Sequence, residues 1–423
     1  MNGDVRQTPL DLASGQSRLS GVRICLVFEN SLAHYSRLLE EIAALQDEGA
    51  SVLWLTSDEG GRGAPPGVGK VVAPLDSSIA GSTARWRPLR VARNLWKEAR
   101  ATVAGRLRPG WTARYRVAAL HRIAARADAI WVIDFPSLPT VMVAAREAGA
   151  KVIYETVDLV PEYHHQGDRY RRLSLEKEGR LIGEVDGFIT ACDSYADYYV
   201  ERFGAALARR PVVRDNMPGH TAPRPKATTR PLQLLFLGAL LPDRPVEELI
   251  RAIALASSDV TLTFQGKNHI GDTPAALVAE LGLQDRVIIL DPCPPSAIVE
   301  TAAVYDVGVV ALRGENENER RASTSKLFTC MAAGLAILGS DLPGIARIVR
   351  RHENGVLVDG MRPADWAAAI DTLAAMPDAG IDALRRSSLD AAWLYAWEKQ
   401  RPAFVTEFVR ALGRAGGEAN DEA

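Results

Sequence analysis

The first half of the chain alternates short apolar runs with longer stretches in which apolar residues recur every three or four positions. Short apolar runs bounded by polar residues or glycine are typical of buried strands, and the periodic stretches are typical of amphipathic helices. The pattern predicts strands at Ile24–Phe28, Val52–Thr56, Ala129–Ile133, Val152–Glu155, Gly187–Thr190 and Val212–Arg214. Strands that alternate with helices indicate a parallel sheet with right-handed crossovers, as in a doubly wound α/β domain.

The second half repeats this alternation after an interruption. Residues 218–231, PGHTAPRPKATTRP, are rich in proline, threonine and basic residues and lack periodicity, so they are interpreted as a linker. Further strands are predicted at Leu232–Leu237, Thr261–Gln265, Val287–Leu290, Val307–Ala311, Ala336–Gly339 and Val356–Val358. The chain therefore divides into an N-terminal domain, 20–217, and a C-terminal domain, 232–397, with a cleft at the carboxyl ends of their strands.

Composition is consistent with two cores and excludes several other classes of protein. The 423 residues are 47% hydrophobic with a net charge of −2, so the chain can bury two α/β domains and has no general field for nucleic acid. The four cysteines lie far apart without a CxxC pair, which indicates a reduced, cytoplasmic protein without structural zinc. Residues 1–20 lack the apolar core of a signal peptide, and no run approaches the roughly 20 apolar residues that span a bilayer.

A candidate binding site begins at Ser323, where three hydroxyl residues precede Lys326 and an apolar helical run. The free N–H groups at the start of this helix, the hydroxyl groups and the ammonium group would converge on one point. Such a point suits a diphosphate. Gly334 then ends the helix, and residues 335–338 and 355–359 follow as strands.

The residues from Ser323 to Gly334, STSKLFTCMAAG, resemble the "Lys-Leu-Phe-Glu-x-Met-Ala-x-Gly" helix of GT-B glycosyltransferases of the family 4 type. LQLLFLGALLPDRPVEELIRAIA is similar to the opening of their donor domain, and ADAIWVIDFPSLP, VIYETVDLVPEY and PVVRDNMP resemble parts of their first domain. The resemblance implies a GT-B fold of two Rossmann-like domains that face a central cleft. It places the acceptor in the first domain, a nucleotide-sugar donor in the second, and a C-terminal helix, 398–412, back on the first. It also implies a retaining transfer that needs no metal ion and no cofactor.

The resemblance assigns the diphosphate to the start of this helix in the second domain. Lys326 and Arg244 would face the leaving diphosphate, because positive groups aimed at its developing charge lower the barrier to transfer. Ser323, Thr324 and Ser325 would assist them. A solvated lysine in a first helical turn is the alternative interpretation of Lys326.

Other donor positions match the family less well. Gly238 would let the backbone approach the ligand or would serve a tight turn, and Lys267 would reach the nucleotide or face water. Many relatives carry two glutamates eight positions apart, for the transferred sugar and the ribose, where this sequence has Arg321 and Thr329. Thr329 cannot grip a ribose diol as a carboxylate does, so another residue makes that contact or the donor lacks a hydroxyl, as a deoxythymidine nucleotide does. Glu319 is a candidate substitute for the sugar contact, with a solvated loop charge as the alternative.

Candidates on the acceptor side follow the first and fourth predicted strands. The nearest candidates for a general base, where relatives often carry a histidine, are Asp158, Glu155 and His164. The candidates for acceptor contacts, in or just beyond the first strand-to-helix loop, are Asn30, His34 and Tyr35. A helix cap, a loop charge or a packed side chain is the alternative for each of these residues.

One segment departs from the near-neutral balance of the chain. Between Arg85 and Arg126, twelve basic residues face a single acid, Glu98, and three tryptophans are interleaved. This composition predicts peripheral contact with an anionic membrane, or a rim that attracts an acidic acceptor. Basic helix faces balanced by acids elsewhere are the third interpretation.

The predicted activity is transfer of a sugar from a nucleotide diphosphate to an acceptor. The atypical donor residues favour a small-molecule acceptor in specialised metabolism with an unusual sugar. The basic segment favours a membrane-associated enzyme of cell-envelope or exopolysaccharide assembly. A nucleotide-sugar epimerase and a non-catalytic nucleotide-binding relative are the alternatives from other classes.

Overall fold

The computed structural model of the protein describes residues 17–28, 32, 35–56, 64–72, 120, 122–163, 168–219, 221–222 and 226–414. These residues form two parallel β-sheets, one of seven strands and one of six. Helices cover both faces of each sheet, so the strands are buried on both sides and appear as continuous apolar runs in the sequence. The predicted fold class, two doubly wound α/β domains, is confirmed.

The first sheet belongs to the N-terminal part of the chain. Its strands are β1 (Arg23–Val27), β2 (Ser51–Thr56), β3 (Gly69–Val72), β4 (Ala129–Ile133), β5 (Lys151–Thr156), β6 (Gly187–Thr190) and β7 (Val212–Val213). They lie in the order β3-β2-β1-β4-β5-β6-β7, so the strand order reverses between β1 and β4. β3 is an addition to the predicted set, because its four residues follow a stretch rich in glycine and proline and form only a short apolar run.

The second sheet is built in the same way. Its strands are β8 (Leu232–Leu237), β9 (Val260–Gln265), β10 (Val287–Leu290), β11 (Val307–Val310), β12 (Ala336–Ser340) and β13 (Gly355–Val358). The order is β10-β9-β8-β11-β12-β13, with the reversal between β8 and β11. In open parallel sheets, ligands bind outside the carboxyl ends of the strands at such reversals.

Helices connect the strands, and local sequence explains several of their ends. In the described residues they are α1 (Ser36–Asp47), α2 (Leu138–Ala148), α3 (Asp168–Leu181), α4 (Asp193–Phe203), α5 (Val246–Leu255), α6 (Thr273–Glu280), α7 (Ile298–Ala302), α8 (Glu317–Arg321), α9 (Ser325–Ala332), α10 (Pro343–His352), α11 (Pro363–Ala375), α12 (Asp378–Leu394) and α13 (Trp397–Ala411). Proline is the first residue of α10 and of α11. It is tolerated there because a backbone N–H at this position would have no intrahelical partner. Gly149 ends α2 in the left-handed conformation, with a φ of 67°.

The last helix, α13, packs on the first sheet. The ring of Trp131 in β4 meets the rings of Phe404 and Phe408 edge-on, with centroids 5.9 and 5.6 Å apart. Glu407 accepts a hydrogen bond of 2.8 Å from the backbone N–H of Phe188 in β6. Burial of each large apolar ring contributes about 1.5–3 kcal/mol, so this contact holds the helix firmly. The chain therefore passes between the two sheets twice, after β7 and before α13.

The segment between the sheets is tied to the second domain where the structure describes it. The hydroxyl of Thr229 donates to Asp306 at 2.7 Å and the hydroxyl of Thr228 donates to Asp382 at 2.6 Å. Farther upstream, the N–H of Ala222 donates to the carbonyl of Ala332 in α9 at 2.7 Å. Residues 226–231 are thus bonded to the second domain, within the stretch 218–231 that the sequence predicted as a linker.

Most of the arginine-rich segment between Arg85 and Arg126 lies outside the described residues, which include only 120 and 122–126 of it. Its contact with a membrane or an acidic acceptor stays a prediction. In the described part of the chain, no helix combines the length and apolar character needed to cross a membrane.

Candidate active site

A cleft between the carboxyl ends of the two sheets contains two adjoining cavities, of about 970 and 460 Å³. Residues after β1 and β4, including Phe28 and Asp134, line the larger cavity. Residues after β8 and β11, including Arg244 and Leu312, line the smaller cavity. Each cavity therefore lies where the strand order of its sheet reverses. The residues that line both cavities are Tyr35, Val157, Asp158, Tyr163, Asn216 and Ser325.

The residues that lead into α9 line the smaller cavity, as the sequence predicted for a helix start. Thr324 caps the helix, because its hydroxyl accepts the backbone N–H of Leu327 at 3.4 Å. The hydroxyl of Ser323 donates to the carbonyl of Gly344 at 2.8 Å, which holds the preceding residue in place. Ser325 is the first helical residue and lies where the two cavities meet. The first-turn amides of such a helix lack intrahelical partners, so this end of α9 is suited to an anion.

Two predicted cations come together beside this helix start. Lys326 lies in the smaller cavity, and its pKa is lowered from 10.5 to about 8, first by burial and second by the charge of Arg244. Two neighbouring cations repel each other, and a bound anion would relieve that repulsion. The pair therefore favours a ligand with at least one phosphate.

Gly238 makes room for the lysine side chain. It follows β8 with a φ of 127°, and a Cβ atom at this position would lie 2.2 Å from Cε of Lys326. The sequence predicted that Gly238 would let the backbone approach the ligand or would serve a tight turn. Its place beside Lys326 adds a further requirement, because any side chain here would displace the ammonium group.

The two residues proposed for the donor sugar lie on opposite sides of α8. Glu319 lines the smaller cavity, and its Oε2 accepts the N–H groups of Gly314 and Glu315 at 3.0 and 3.2 Å. Arg321 instead forms an ion pair with Glu201 of the first domain at 2.6 Å and is not among the residues that line either cavity. The structure thus brings Glu319, but not Arg321, to the cleft.

The other two donor candidates differ in their placement. Thr329 is buried in α9 and lines the larger cavity, while its hydroxyl donates to the carbonyl of Ser325 at 2.8 Å. Lys267 is exposed after β9 and lines neither cavity.

Two carboxylates lie on the acceptor side of the cleft, and the sequence singled out one of them. Asp158 lines both cavities. Asp134 follows β4 in the left-handed conformation, with a φ of 59°, and its Oδ1 accepts the N–H groups of Val157 and Asp158 at 2.8 and 3.1 Å. Burial, followed by the charge of Asp158, raises the pKa of Asp134 to about 8. Strained residues with shifted pKa values concentrate at functional sites. The sequence signal for Asp134 is an acidic residue directly after β4, where the strand order of the sheet reverses.

Glu155 does not lie in the cleft. Its side chain is fully buried in the layer between β5 and α1, where Arg37 donates to its carboxylate and Nε1 of Trp131 donates at 2.9 Å. Arg37 also lies 2.9 Å from Glu41, so Glu155 belongs to a buried ion cluster. Glu155 is not among the residues that line either cavity. The structure therefore gives Glu155 no access to a substrate proton.

The remaining acceptor candidates divide between the cleft and the undescribed residues. Tyr35 lines both cavities, and its ring packs edge-on against Phe28 with centroids 4.8 Å apart. Asn30, His34 and His164 lie outside the described residues. Two other residues of the cleft, Tyr163 and Asn318, were not predicted. The hydroxyl of Tyr163 donates to Asp158, and Asn318 stands in the short, charged helix α8 without a local pattern to distinguish it.

The described residues contain no group of three or more His, Cys, Asp or Glu side chains that could hold a metal ion.

A helix start with two adjacent cations suits the diphosphate of a nucleotide sugar, and the opposing domain provides a second cavity within reach of it. Such an arrangement defines the GT-B class of glycosyltransferases. Residues 36–215 match the glycosyl transferase 4-like domain, and residues 231–376 match the glycosyl transferases of group 1. The chain belongs to the GT-B glycosyltransferases of the family 4 type, which confirms the resemblance.

Similar proteins of known name include D-inositol 3-phosphate glycosyltransferases. The protein from Nocardia farcinica is 29% identical over 270 residues, which are 58% of this chain and 58% of that protein. The protein from Mycolicibacterium vanbaalenii is 31% identical over 180 residues, which are 42% of this chain and 37% of that protein. The chain thus matches about half, or less, of the length of these relatives.

Solved structures of low identity share the fold across nearly the whole chain. A sucrose-phosphate synthase from Thermosynechococcus elongatus has a TM-score of 0.67 at 16% identity, and the match covers 93% of this chain and 99% of that one. Anabaena HepE in complex with UDP and glucose has a TM-score of 0.64 at 15% identity, with 92% and 99% covered.

Proposed function

We propose that the protein transfers a sugar from a nucleoside diphosphate in the smaller cavity to a small polyhydroxylated acceptor in the larger cavity. The observation that carries this proposal is the meeting of the cavities at Ser325 and Asp158, with Lys326 and Arg244 on one side and Asp134 on the other. Relatives named after D-inositol 3-phosphate support a small polar acceptor. Their names do not support the predicted place in specialised metabolism, which stays a prediction.

The donor side supplies positive charge where negative charge develops. As the bond between the sugar and the diphosphate breaks, the leaving oxygen gains charge that Lys326, Arg244 and the first-turn amides of α9 would stabilise. Gly238 leaves room for the side chain of Lys326, and Thr324 caps α9. The lysine and the helix start therefore need little rearrangement when the donor binds. The proposed transfer requires neither a metal ion nor a cofactor, and EDTA should leave its rate unchanged.

The proposed stereochemical outcome is retention. The bond from C1 of the sugar to the diphosphate oxygen breaks, and a bond from C1 to an acceptor hydroxyl oxygen forms on the same face. The acceptor proton passes to the leaving diphosphate, so this route needs no protein base and accords with the burial of Glu155. Asp158 and Asp134 would then hold acceptor hydroxyls, and NMR of the product would show the anomeric configuration.

A calorimetric test of the donor site uses Lys326→Ala and the matched control Lys267→Ala. Loss of a charge-assisted contact should weaken UDP binding by about 1.5–3 kcal/mol, whereas the exposed Lys267 should contribute almost nothing. Equal affinity of Lys326→Ala and wild type for every nucleotide diphosphate that binds would remove Lys326 from the site. The same titration with dUDP tests the ribose contact, because Thr329 predicts that this deoxyribose nucleotide binds within about tenfold of UDP.

Product analysis separates transfer from the other activities. UDP-glucose is incubated with and without myo-inositol, and the sugar products are identified. A new glycoside that appears only with the acceptor supports the proposal. Isomerised donor without acceptor indicates an epimerase, and binding without any turnover across a panel of donors and acceptors indicates a non-catalytic relative.

A membrane-linked acceptor is the second candidate, and helix α3 provides a specific observation for it. Tyr170 and Leu173 are 42% and 50% exposed on this helix, beside the exposed Arg169 and Arg172. Aromatic and apolar side chains flanked by arginine are typical of surfaces that rest on anionic lipid.

A further inference from the structure

Asn318 joins the two domains across the cleft. It belongs to α8 of the second domain, and its Oδ1 accepts the N–H of Leu159 at 2.7 Å and the hydroxyl of Tyr195 at 2.6 Å, both from the first domain. Its Nδ2 donates to Oδ1 of Asp158 at 3.3 Å. One amide side chain therefore contacts two consecutive residues of the loop that follows β5.

These partners determine the orientation of the amide. A backbone N–H can only donate, so the atom of Asn318 that faces Leu159 must be the carbonyl oxygen. The NH2 group of Asn318 is then left to face Asp158. The buried Tyr195 reinforces this orientation, because its hydroxyl donates to the same oxygen.

Asp158 is the acceptor-side residue that these contacts hold. Its carboxylate also receives the hydroxyl of Tyr163, and its N–H donates to Asp134 at 3.1 Å. Among the side-chain hydrogen bonds of Asp158 in the described residues, the one from Asn318 comes from the other domain. It forms only when α8 rests on the first domain, so the complete surroundings of Asp158 require a closed cleft.

The same short helix carries a donor-side group. Glu319 follows Asn318 directly and lines the smaller cavity, where the amides of Gly314 and Glu315 hold its carboxylate. Asn316 caps the helix through the N–H of Glu319 at 2.9 Å. A ligand that fixes residues 314–319 in this arrangement would therefore also place Asn318 against Asp158.

We propose that Asn318 is a positioning residue that couples closure of the two domains to the orientation of Asp158 in the cleft. This role rests on the proposed function, because Asp158 matters to turnover only if the acceptor binds beside it. Asn318 acts through Asp158 and contacts neither cation of the donor side among the described residues. Because Asn318 also lines the smaller cavity, the affinity for UDP is measured for each variant and turnover is compared at saturating UDP-glucose.

Hydrogen exchange tests the interdomain contact without any need for turnover. Exchange of the Leu159 amide is measured in the full chain with UDP bound, for wild type, Asn318→Ala and Asn318→Asp. Asn318→Ala should speed exchange on the order of tenfold or more, because the amide loses its partner. Asn318→Asp keeps an oxygen acceptor and should remain near wild type.

Turnover separates positioning of Asp158 from simple attachment of the domains. UDP release from UDP-glucose in the presence of myo-inositol is followed for the same proteins. Asn318→Asp removes the donor to Asp158 and puts a like charge beside it, so turnover should fall at least about tenfold although Leu159 stays protected. In an Asp158→Asn background, Asn318→Ala should cause much less additional loss, because the two residues act on the same step.

Glu201→Gln is the matched control. It breaks the interdomain ion pair to Arg321, which lies away from the cavities, and should leave UDP release within about twofold of wild type. Unchanged exchange at Leu159 in Asn318→Ala would refute the interdomain contact. The positioning role would be refuted if Asn318→Asp turned over at the wild-type rate. It would also be refuted if, in every variant, turnover fell only in proportion to the loss of Leu159 protection. Absence of UDP release from wild type would contradict the proposed function for this donor, while the exchange results would still decide whether Asn318 joins the domains.

Discussion

At the scale of single residues, Lys326 has the property with the clearest functional consequence. An ordinary lysine stays charged well above neutral pH, but burial and Arg244 lower the pKa of Lys326 to about 8. The ammonium form is the one that attracts a diphosphate. Above pH 8, binding must therefore include the uptake of a proton, and the free energy of that uptake subtracts from affinity.

The affinity for UDP should accordingly be nearly constant between about pH 7 and 8 and should then fall by up to about tenfold for each further pH unit. Calorimetry between about pH 7 and 9.5 measures this, and buffers of different ionisation enthalpy report the proton. Lys326→Arg retains its charge throughout the range and should remove the pH dependence. A wild-type affinity that stays flat up to about pH 9.5 would show that Lys326 does not titrate near 8.

Gly238 yields a second prediction, because two separate constraints act on it. Its φ of 127° disfavours a side chain, and a Cβ would lie 2.2 Å from Cε of Lys326. Gly238→Ala should destabilise the fold by about 1–3 kcal/mol and should also weaken UDP binding. Gly360→Ala is the control, since Gly360 has a φ of 75° and a Cβ added there would meet no other atom within 4 Å. If both variants lose stability but keep wild-type affinity for UDP, Gly238 does not position Lys326.

Individual site residues could be predicted when the local sequence determines their place. Thr324 and Lys326 were predicted because they stand at a helix start. Asp134 was not predicted, although it stands directly after an apolar strand. Glu155 was misplaced because β5 is buried on both faces, and its apolar run does not reveal which face the acid occupies. Asn318 was missed because Leu159, its partner, is 159 positions away in the other domain.

At the scale of secondary-structure elements, the strand predictions agree closely with the structure because long apolar runs dominate them. β8 has the predicted bounds, β5 is longer than predicted by one residue at each end, and β9 by one residue at its start. The short strand β3 and the hydrogen-bonded residues 226–231 lack such runs. Their places depend on pairing with β2 and on contacts with the second domain, which a local pattern does not encode.

Helix α3 and the arginine-rich segment predict binding to anionic vesicles at low salt. Each basic residue near such a surface contributes on the order of 1 kcal/mol, and salt should weaken the attraction. Replacing Arg169 and Arg172 by Gln, together with Leu173→Ser, should reduce sedimentation with vesicles without changing UDP affinity. Val304→Ser is the control, because Val304 is 55% exposed on the second domain.

The outcome also distinguishes the two basic regions. If the α3 variant still sediments but replacement of Arg87, Arg90 and Arg93 by Gln abolishes sedimentation, the arginine-rich segment is the contact. If wild type ignores anionic vesicles at low salt, the membrane hypothesis is wrong and a freely diffusing acceptor is favoured.

At the scale of the whole molecule, closure of the two domains determines the charge that an acceptor meets. A bound diphosphate would neutralise Lys326 and Arg244 on the donor side. On the acceptor side, Asp134 and Asp158 form no ion pair with another described side chain, and their hydrogen-bond partners there are uncharged N–H and hydroxyl groups. Arg37 also lines the larger cavity, but its charge is already paired with Glu41 and Glu155. The described part of the loaded cleft is therefore negatively charged through Asp158, whereas the raised pKa of Asp134, about 8, favours its uncharged form at neutral pH.

This acidity predicts the preferred charge of the acceptor. A phosphate placed beside Asp158 would meet like charge in a partly buried site, at a cost of several kcal/mol. Transfer from UDP-glucose to myo-inositol should therefore exceed transfer to D-inositol 3-phosphate by at least about tenfold in kcat/KM. The opposite preference would mean that cations outside the described residues line the acceptor site. In that case, Arg87, Arg90 and Arg93 are replaced by Gln. If the preference for D-inositol 3-phosphate is then lost, the arginine-rich segment binds the phosphate, and if the preference persists, these three residues are excluded.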